Sequence, residues 1–528
     1  MIVTEVVATG GMPWLTLVLV LPLLGVMATL LAHESLSRPI ALATSLITFV
    51  ASLPLWFAFD IGTGGMQFVE KHLWIDTPAI HYALGVDGIS MPLVLLTTFL
   101  TPLCILVSWT AIETRMKEFL ISLLVMETAT IGVFVALDFV LFYIFWETML
   151  IPMYLLIGVW GGPNRVYAAI KFFLYTLAGS ILLLVAILVL YFEGGQTFDI
   201  LALTHASYAP SLQALLFWAF FAAFAVKVPM FPFHTWLPDA HVQAPTAGSV
   251  ILASVLLKLG TYGFLRFSLP MLPDASVTYT PIIMALSVIA IIYGAYMALA
   301  QSDIKKLIAY SSVSHMGFVT LGIFAFNAQG IEGAVLQMVN HGITTGALFM
   351  CVGIIYERTH SREISENGGL AHAMPKYATF LVIFALSSVG LPGMNSFVGE
   401  FLVLVGVFAW DKLTATLAAL GIILAAVYIL YLVQRIVYGP AAPKMLSKLT
   451  DLNPREFGML VPLVVLVFWI GLYPKPLLDV MHASVKRVVA SQSDSVIVQP
   501  PTVLDDHVLV MSDVIPSALA PLEIEDTP

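Results

Sequence analysis

This sequence predicts an all-α membrane protein, a polytopic transmembrane bundle of about 14 helices. Three observations predict it. Of 528 residues, 60% are hydrophobic and only 10% are charged, whereas soluble chains carry about 25% charged residues. Mean hydropathy is +0.97. Apolar runs of about 20 residues, the length that crosses ~30 Å of hydrocarbon as a helix, recur along nearly the whole chain. The runs lack the period-two alternation of barrel strands. Lipid also requires each backbone N–H and C=O to be satisfied within the span, so helices are the spanning element.

The runs fall near 13–32, 39–59, 89–109, 118–136, 139–158, 167–191, 213–233, 245–267, 281–300, 307–326, 333–356, 377–409, 414–437 and 457–474. The first has no positive n-region and no small-residue cleavage site, so it reads as a retained helix rather than a signal peptide. Basic residues orient the set. With the N-terminus outside, inward loops hold Arg38, Arg115, Lys117, Arg165, Lys171, Lys305, Lys306, Arg358, Arg362, Lys376, Arg435, Lys444, Lys448 and Arg455. The outward side holds Lys71, Arg266, Lys412, Lys475, Lys486 and Arg487. Fourteen against six is a positive-inside bias. Of the 22 basic residues only Lys227 and Lys258 are left over, and both fall inside predicted spans. No Lys or Arg follows Arg487, and residues 489–528 carry seven acidic residues and the run Gln499-Pro500-Pro501. That segment reads as an acidic, extended extramembrane tail.

Composition also excludes chemistry. The two cysteines, Cys104 and Cys351, lie far apart in apolar runs, and no CxxC or His-rich spacing occurs. A cysteine-ligated iron–sulfur cluster within the chain is therefore excluded. No GxGxxG after a strand pattern and no Walker loop occurs, which leaves no nucleotide site. The net charge of −10 lies in loops and tail, without a basic cluster for nucleic acid.

Ionisable residues recur where lipid should be, at an insertion cost of about 2.5–3.5 kcal/mol each. Glu127 lies in ISLLVMETATIGVF, Glu147 in FVLFYIFWETMLIPMYLL, Lys227 in FFAAFAVKVPMFPFH and Lys258 in GSVILASVLLKLGTYGF. His315 lies in LIAYSSVSHMGFVTLGIF, His341 in GAVLQMVNHGITTGALF and Glu400 in NSFVGEFLVLVGVF. Each has a bland alternative. Glu127 alone could be a contact between helices, His315 and His341 hydrogen-bonded packing residues, and Glu147 with Lys227 a permanent ion pair. A permanent pair leaves Lys258 and Glu400 unexplained. Three acids, two lysines and two histidines on seven spans fit a proton relay better. The charge of a buried lysine follows whether a carboxylate stands beside it, and histidine passes protons near neutral pH.

Two helices read as interrupted. Pro229 and Pro232 follow Lys227, removing backbone donors. Gly390, Pro392 and Gly393 sit in the middle of the 33-residue run 377–409, too long for one crossing. Breaks at corresponding places, in helices 7 and 12, predict two inverted five-helix repeats, although kinks serving packing alone would leave the same prolines. The resulting divisions are 1–117 (helices 1–3), 118–267 (helices 4–8), 281–437 (helices 9–13), 438–488 (helix 14 and flanks) and the tail 489–528.

PFHTWLPDAHVQAPTAGSVILASVLLKLGTYGFLRF (232–267), SDIKKLIAYSSVSHMGF (302–318) and GLPGMNSFVGEF (390–401) resemble the proton-conducting membrane family shared by complex I and multi-subunit Na⁺/H⁺ antiporters. The resemblance covers about residues 85–440. It implies that Glu147 is the fifth-helix glutamate modulating the seventh-helix lysine, Lys227, and that Lys258 is the central eighth-helix lysine. It places His315 and His341 on the axis joining two half-channels, and Glu400 at the terminal twelfth-helix position, lysine in most sister subunits. That glutamate and the AHVQAP wording favour the complex I branch over the alternative, an antiporter or membrane-bound hydrogenase subunit. The resemblance further implies no cofactor in this chain, with FMN, iron–sulfur clusters and quinone in partner subunits. It implies two related antiporter-like neighbours and a bacterial cell membrane. An assembly scaffold without transport is the remaining alternative, and it gains nothing from buried ionisable groups.

Overall fold

The computed structural model describes residues 11–440 and 449–498. Residues 499–528, the larger part of the predicted tail, and the orienting residues Lys444 and Lys448 lie outside the described residues. The first crossings are α1 (Trp14–Leu31), α2 (Glu34–Phe57), α3 (Ser90–Val107), α4 (Met116–Val135), α5 (Phe139–Trp160) and α6 (Arg165–Glu193). Then follow α7 (Pro210–Lys227), a short α8 (Trp236–Gln243), α9 (Thr246–Met271) and α10 (Pro273–Leu299). The second half holds α11 (Ile304–Ile323), α12 (Ala328–Thr359), α13 (Pro375–Val389), α14 (Asn395–Trp410), α15 (Lys412–Ile436), α16 (Pro454–Leu472) and α17 (Lys475–Val498). Twelve of these are long and apolar enough to span a membrane. With α11 and the broken pair α13/α14 they account for the expected fourteen crossings among the described residues.

Both predicted breaks are present. α7 ends at Lys227, and α8 begins only at Trp236. The indole of Trp236 donates to the Val226 carbonyl at 2.8 Å, filling one acceptor freed by the interruption. Between α13 and α14, Gly390 (φ +81°) and Gly393 (φ +92°) take left-handed backbone that other residues adopt at a cost. The gap is bridged by Asn340 Nδ2 donating to the Asn395 carbonyl (2.7 Å) and Ser387 Oγ donating to Asn395 Oδ1 (2.6 Å).

Four features were not foreseen. Residues 67–86 form an antiparallel hairpin, β1 (Gln67–Ile75) with β2 (Ile80–Val86). Its Glu70 accepts from the Leu15 amide at 2.8 Å, satisfying an orphan donor at the start of α1. The acidic segment expected to be extended from 489 onward is instead helical to Val498, because α17 packs on the bundle. Ser484 Oγ accepts from the Gly88 amide at 2.9 Å, and Gln492 Nε2 donates to the Leu269 carbonyl at 2.5 Å. Arg266, assigned above to an outward loop, lies within α9 with a side chain 12% exposed and pairs with Asp87 at 2.7 Å. Lys305, assigned to an inward loop, is buried and donates to the Ala244 carbonyl at 2.5 Å. Charge counting could not see either, since both side chains reach fixed partners from the ends of spans.

The core lies where α9 and α12 cross the middle of the bundle, and both spans are buried along their length. α14 approaches α12 closely: a Cβ at Gly333 would stand 2.6 Å from the Val403 amide nitrogen, and one at Gly399 2.6 Å from Gln337 Oε1. Small residues at such crossings let van der Waals packing hold helices together where lipid offers no hydrophobic drive.

Candidate functional site

The local structure of α9 sets the central lysine. Residues Leu252–Leu256 form a π-helical turn, and the Leu257 amide bonds the Leu252 carbonyl five residues back. A regular turn would have used the Ala253 carbonyl. That carbonyl is released and accepts from Lys258 Nζ at 2.5 Å. Such single π turns are frequent at functional sites. The same Nζ meets His341 Nδ1 at 2.8 Å, and Lys258 is fully buried. Ser254 Oγ donates to the Gly342 carbonyl at 2.7 Å, which pins α9 to α12 beside this contact.

From His341 the polar groups continue to His315 across a gap that no direct hydrogen bond closes, His341 Nε2 having no partner among the described residues. The rings of His341 and His315 lie 5.9 Å apart, centroid to centroid. His315 Nδ1 meets Glu400 Oε1 at 2.7 Å, while His315 Nε2 is near Ser388 Oγ (3.2 Å) and the Tyr428 hydroxyl (3.3 Å). Gln337 Nε2 donates to the same Glu400 oxygen at 2.9 Å. His315, His341 and Glu400 are each 3% exposed or less. Four of the seven predicted residues, from four different helices, thus form one buried run: Lys258, His341, His315, Glu400.

The other three stand apart. Glu147 lies on α5 just before the helix is interrupted at Met149, where Pro152 cannot donate to the Thr148 carbonyl. Its Oε1 and the buried Lys227 Nζ both lack a hydrogen-bond partner among the described residues. No direct ion pair joins them, so they are not the permanent pair considered above. Lys227 Nζ instead faces two rings, 5.3 Å from Trp146 and 5.7 Å from Phe172. Glu127 is buried on α4 with both oxygens lacking hydrogen-bond partners among the described residues, against a small cavity lined by Thr97, Thr101, Thr130, Ile251 and Val255. It sits behind the π turn of α9, off the run from Lys258 to Glu400.

Besides Lys305 and Arg266, a further buried group escaped the sequence reading. His241, on α8, is fully buried and stacks on Phe349 at 4.6 Å, and neither ring nitrogen has a partner among the described residues. It was hidden because WLPDAHVQ reads as a polar loop; only its place directly after a helix break could have flagged it.

A buried line of proton-exchanging side chains, crossed by two broken helices, defines a proton-conducting membrane subunit. The family description "NADH:quinone oxidoreductase/Mrp antiporter, TM" matches residues 136–425, and the chain belongs to that family. A second description, "NADH-ubiquinone oxidoreductase chain 4, amino terminus", matches residues 16–133. The chain is 52% identical over 471 residues to NADH-quinone oxidoreductase subunit M of Rhodobacter capsulatus, covering 87% of this chain and 91% of that one. It is 51% identical over 472 residues to NADH-ubiquinone oxidoreductase chain 4 of Arabidopsis thaliana, covering 89% and 95%. A chain of the respiratory complex I of Thermus thermophilus superposes with a TM-score of 0.85 at 31% identity, covering 90% and 99%.

Proposed function

We propose that this chain is the antiporter-like, subunit M-type proton-translocating subunit of an NADH:quinone oxidoreductase. The observation that carries the reading is the buried run Lys258–His341–His315–Glu400, whose neighbours are 2.8 Å apart at one end and 2.7 Å at the other. Each member can hold or release a proton, and histidine does both through its two ring nitrogens. Glu147 and Lys227 form the first station, in which the carboxylate governs whether the lysine keeps its proton. Lys258 receives that proton at the midplane, the histidines carry it across, and Glu400 delivers it. Glu127 acts as a side station through its small cavity. Water fills the step from Lys227 to Lys258.

The match of residues 16–133 to a chain 4 description, together with Glu400, favours this assembly over a Na⁺/H⁺ antiporter or a membrane-bound hydrogenase. FMN, iron–sulfur clusters and quinone then belong to partner subunits, and two antiporter-like relatives stand beside this chain. We place it in a bacterial inner membrane with the N-terminus outside, on the charge bias of the loops. The hairpin, the start of α1 and α17 share one end of the bundle, which becomes the outer face. Residues 118–267 and 281–437 are the two inverted repeats.

The test is Lys258→Met in the assembled complex, reconstituted in vesicles. Proton pumping is expected to vanish while the complex remains intact on native gels. Normal pumping by that variant refutes the relay.

A further inference from the structure

We propose that Trp146 and Phe172 form an aromatic cage that holds the Lys227 ammonium away from Glu147, and that the first step of transfer is the exchange of this cage for the carboxylate. The proposal deepens the reading of Lys227 as a proton station and rests on it. Lys227 Nζ lies 5.3 Å from the centroid of Trp146 and 5.7 Å from that of Phe172, within the range of cation–π attraction, which is strongest for tryptophan and for desolvated cations. The lysine is 2% exposed and has no hydrogen-bond acceptor among the described residues, so the rings are what its charge faces. Of the ionisable groups on packed elements, Glu147 on α5 directly follows the cage residue Trp146. Lys171 on α6 and Asp239 on α8 neutralise each other at 2.7 Å, and Lys258 on α9 is turned to His341.

The cage is built rather than incidental. The Trp146 indole donates to Ser180 Oγ on α6 at 2.9 Å, which fixes the ring plane. Phe172 packs on Trp236 at 5.4 Å, and Trp236 is in turn anchored to the carbonyl of Val226, the residue before Lys227. The Trp146 wall is thus anchored on α6 and the Phe172 wall at the broken end of α7. Trp146 and Glu147 are also consecutive on α5, about 100° apart around a helix of 3.6 residues per turn. A rotation that brings the carboxylate to Lys227 carries the indole off it. The interruption at Met149, one residue beyond Thr148, gives α5 a place to turn. Ring and carboxylate are thus alternative partners of one ammonium.

The experiment measures the pH profile of proton pumping in vesicles containing the whole complex, with Trp146→Leu, Phe172→Leu, Trp146→Phe, Phe172→Tyr and Lys227→Ala. Rings favour the charged lysine, so each leucine variant is expected to move the alkaline limb to lower pH by about one unit, a tenfold change in proton occupancy. Trp146→Phe and Phe172→Tyr are expected to restore most of that shift, which a purely structural role would not do. If Trp146→Leu fails to assemble, Phe172→Leu decides. An unshifted limb in the leucine variants, or a loss at every pH that the aromatic variants do not rescue, overturns the cage while Lys227→Ala remains inactive. Normal pumping by Lys227→Ala overturns the station itself, and the cage with it.

Discussion

Glu400→Gln isolates titration from shape at the end of the run. The carboxylate accepts from Gln337 Nε2 at 2.9 Å and pairs with His315 Nδ1 at 2.7 Å, with 2% of the residue exposed. Glutamine keeps the volume and an acceptor oxygen but cannot take the proton. Hydrogen bonds to a charged group contribute about 1.5–3 kcal/mol each. Losing the charge from the bond to His315 alone corresponds to roughly a ten- to hundredfold slowing of transfer. Absence of a titrating acceptor adds to this, so pumping is expected to fall to background. Glu400→Lys is expected to retain part of the activity, because Gln337 Oε1 has no partner among the described residues and a flipped amide would accept from an ammonium. The assay is proton uptake and quinone reduction by reconstituted complex, normalised to complex content. Normal pumping by Glu400→Gln removes this residue from the pathway. A lysine variant as inactive as the amide shows that the sign of the charge, and not titration alone, matters at the site.

Further outcomes follow from the same geometry. Glu147→Gln is expected to lower coupled quinone reduction and pumping at least tenfold with assembly intact; unchanged turnover in an assembled complex excludes it as the partner of Lys227. Lys258→Arg is expected to fail like Lys258→Met, because guanidinium keeps its proton at every accessible pH, and full turnover with arginine would mean that a fixed positive charge suffices. Glu127→Gln is expected to slow pumping by roughly two- to fivefold without stopping it, since the carboxyl faces a cavity off the run; complete loss in pumping assays would place it on the main path. Gly333→Val is expected to lower the amount of assembled complex on native gels, because its Cβ meets the α14 backbone at 2.6 Å; normal content would show that the two helices can part.

Much was legible before any fold was known. Ionisable residues at membrane depth are too costly to be accidental, so Glu127, Glu147, Lys227, Lys258, His315, His341 and Glu400 stood out one by one. Glycine and proline marked the breaks after Lys227 and at Gly390–Gly393 because they act on their own backbone. The hairpin was missed because its strands lie in the segment between two spans and are joined by Asp76-Thr77-Pro78-Ala79 rather than by a hairpin turn dipeptide, and Arg266 was misplaced because its counterion, Asp87, is 179 positions away in sequence.

What the sequence by itself determined is the kind of solvent, the number of crossings and the inventory of proton-bearing groups, for each depends on local composition alone. Which of those groups touch was decided by tertiary structure. Lys258 meets His341, and His315 meets Glu400, across 83 and 85 residues, while Lys227 Nζ faces the rings of Trp146 and Phe172 without a direct bond to Glu147. The π turn that frees the Ala253 carbonyl for Lys258 has no sequence signature in LASVL. It arises where α9 must fit against α12, and a helix adjusts its hydrogen bonding to the neighbour it packs on.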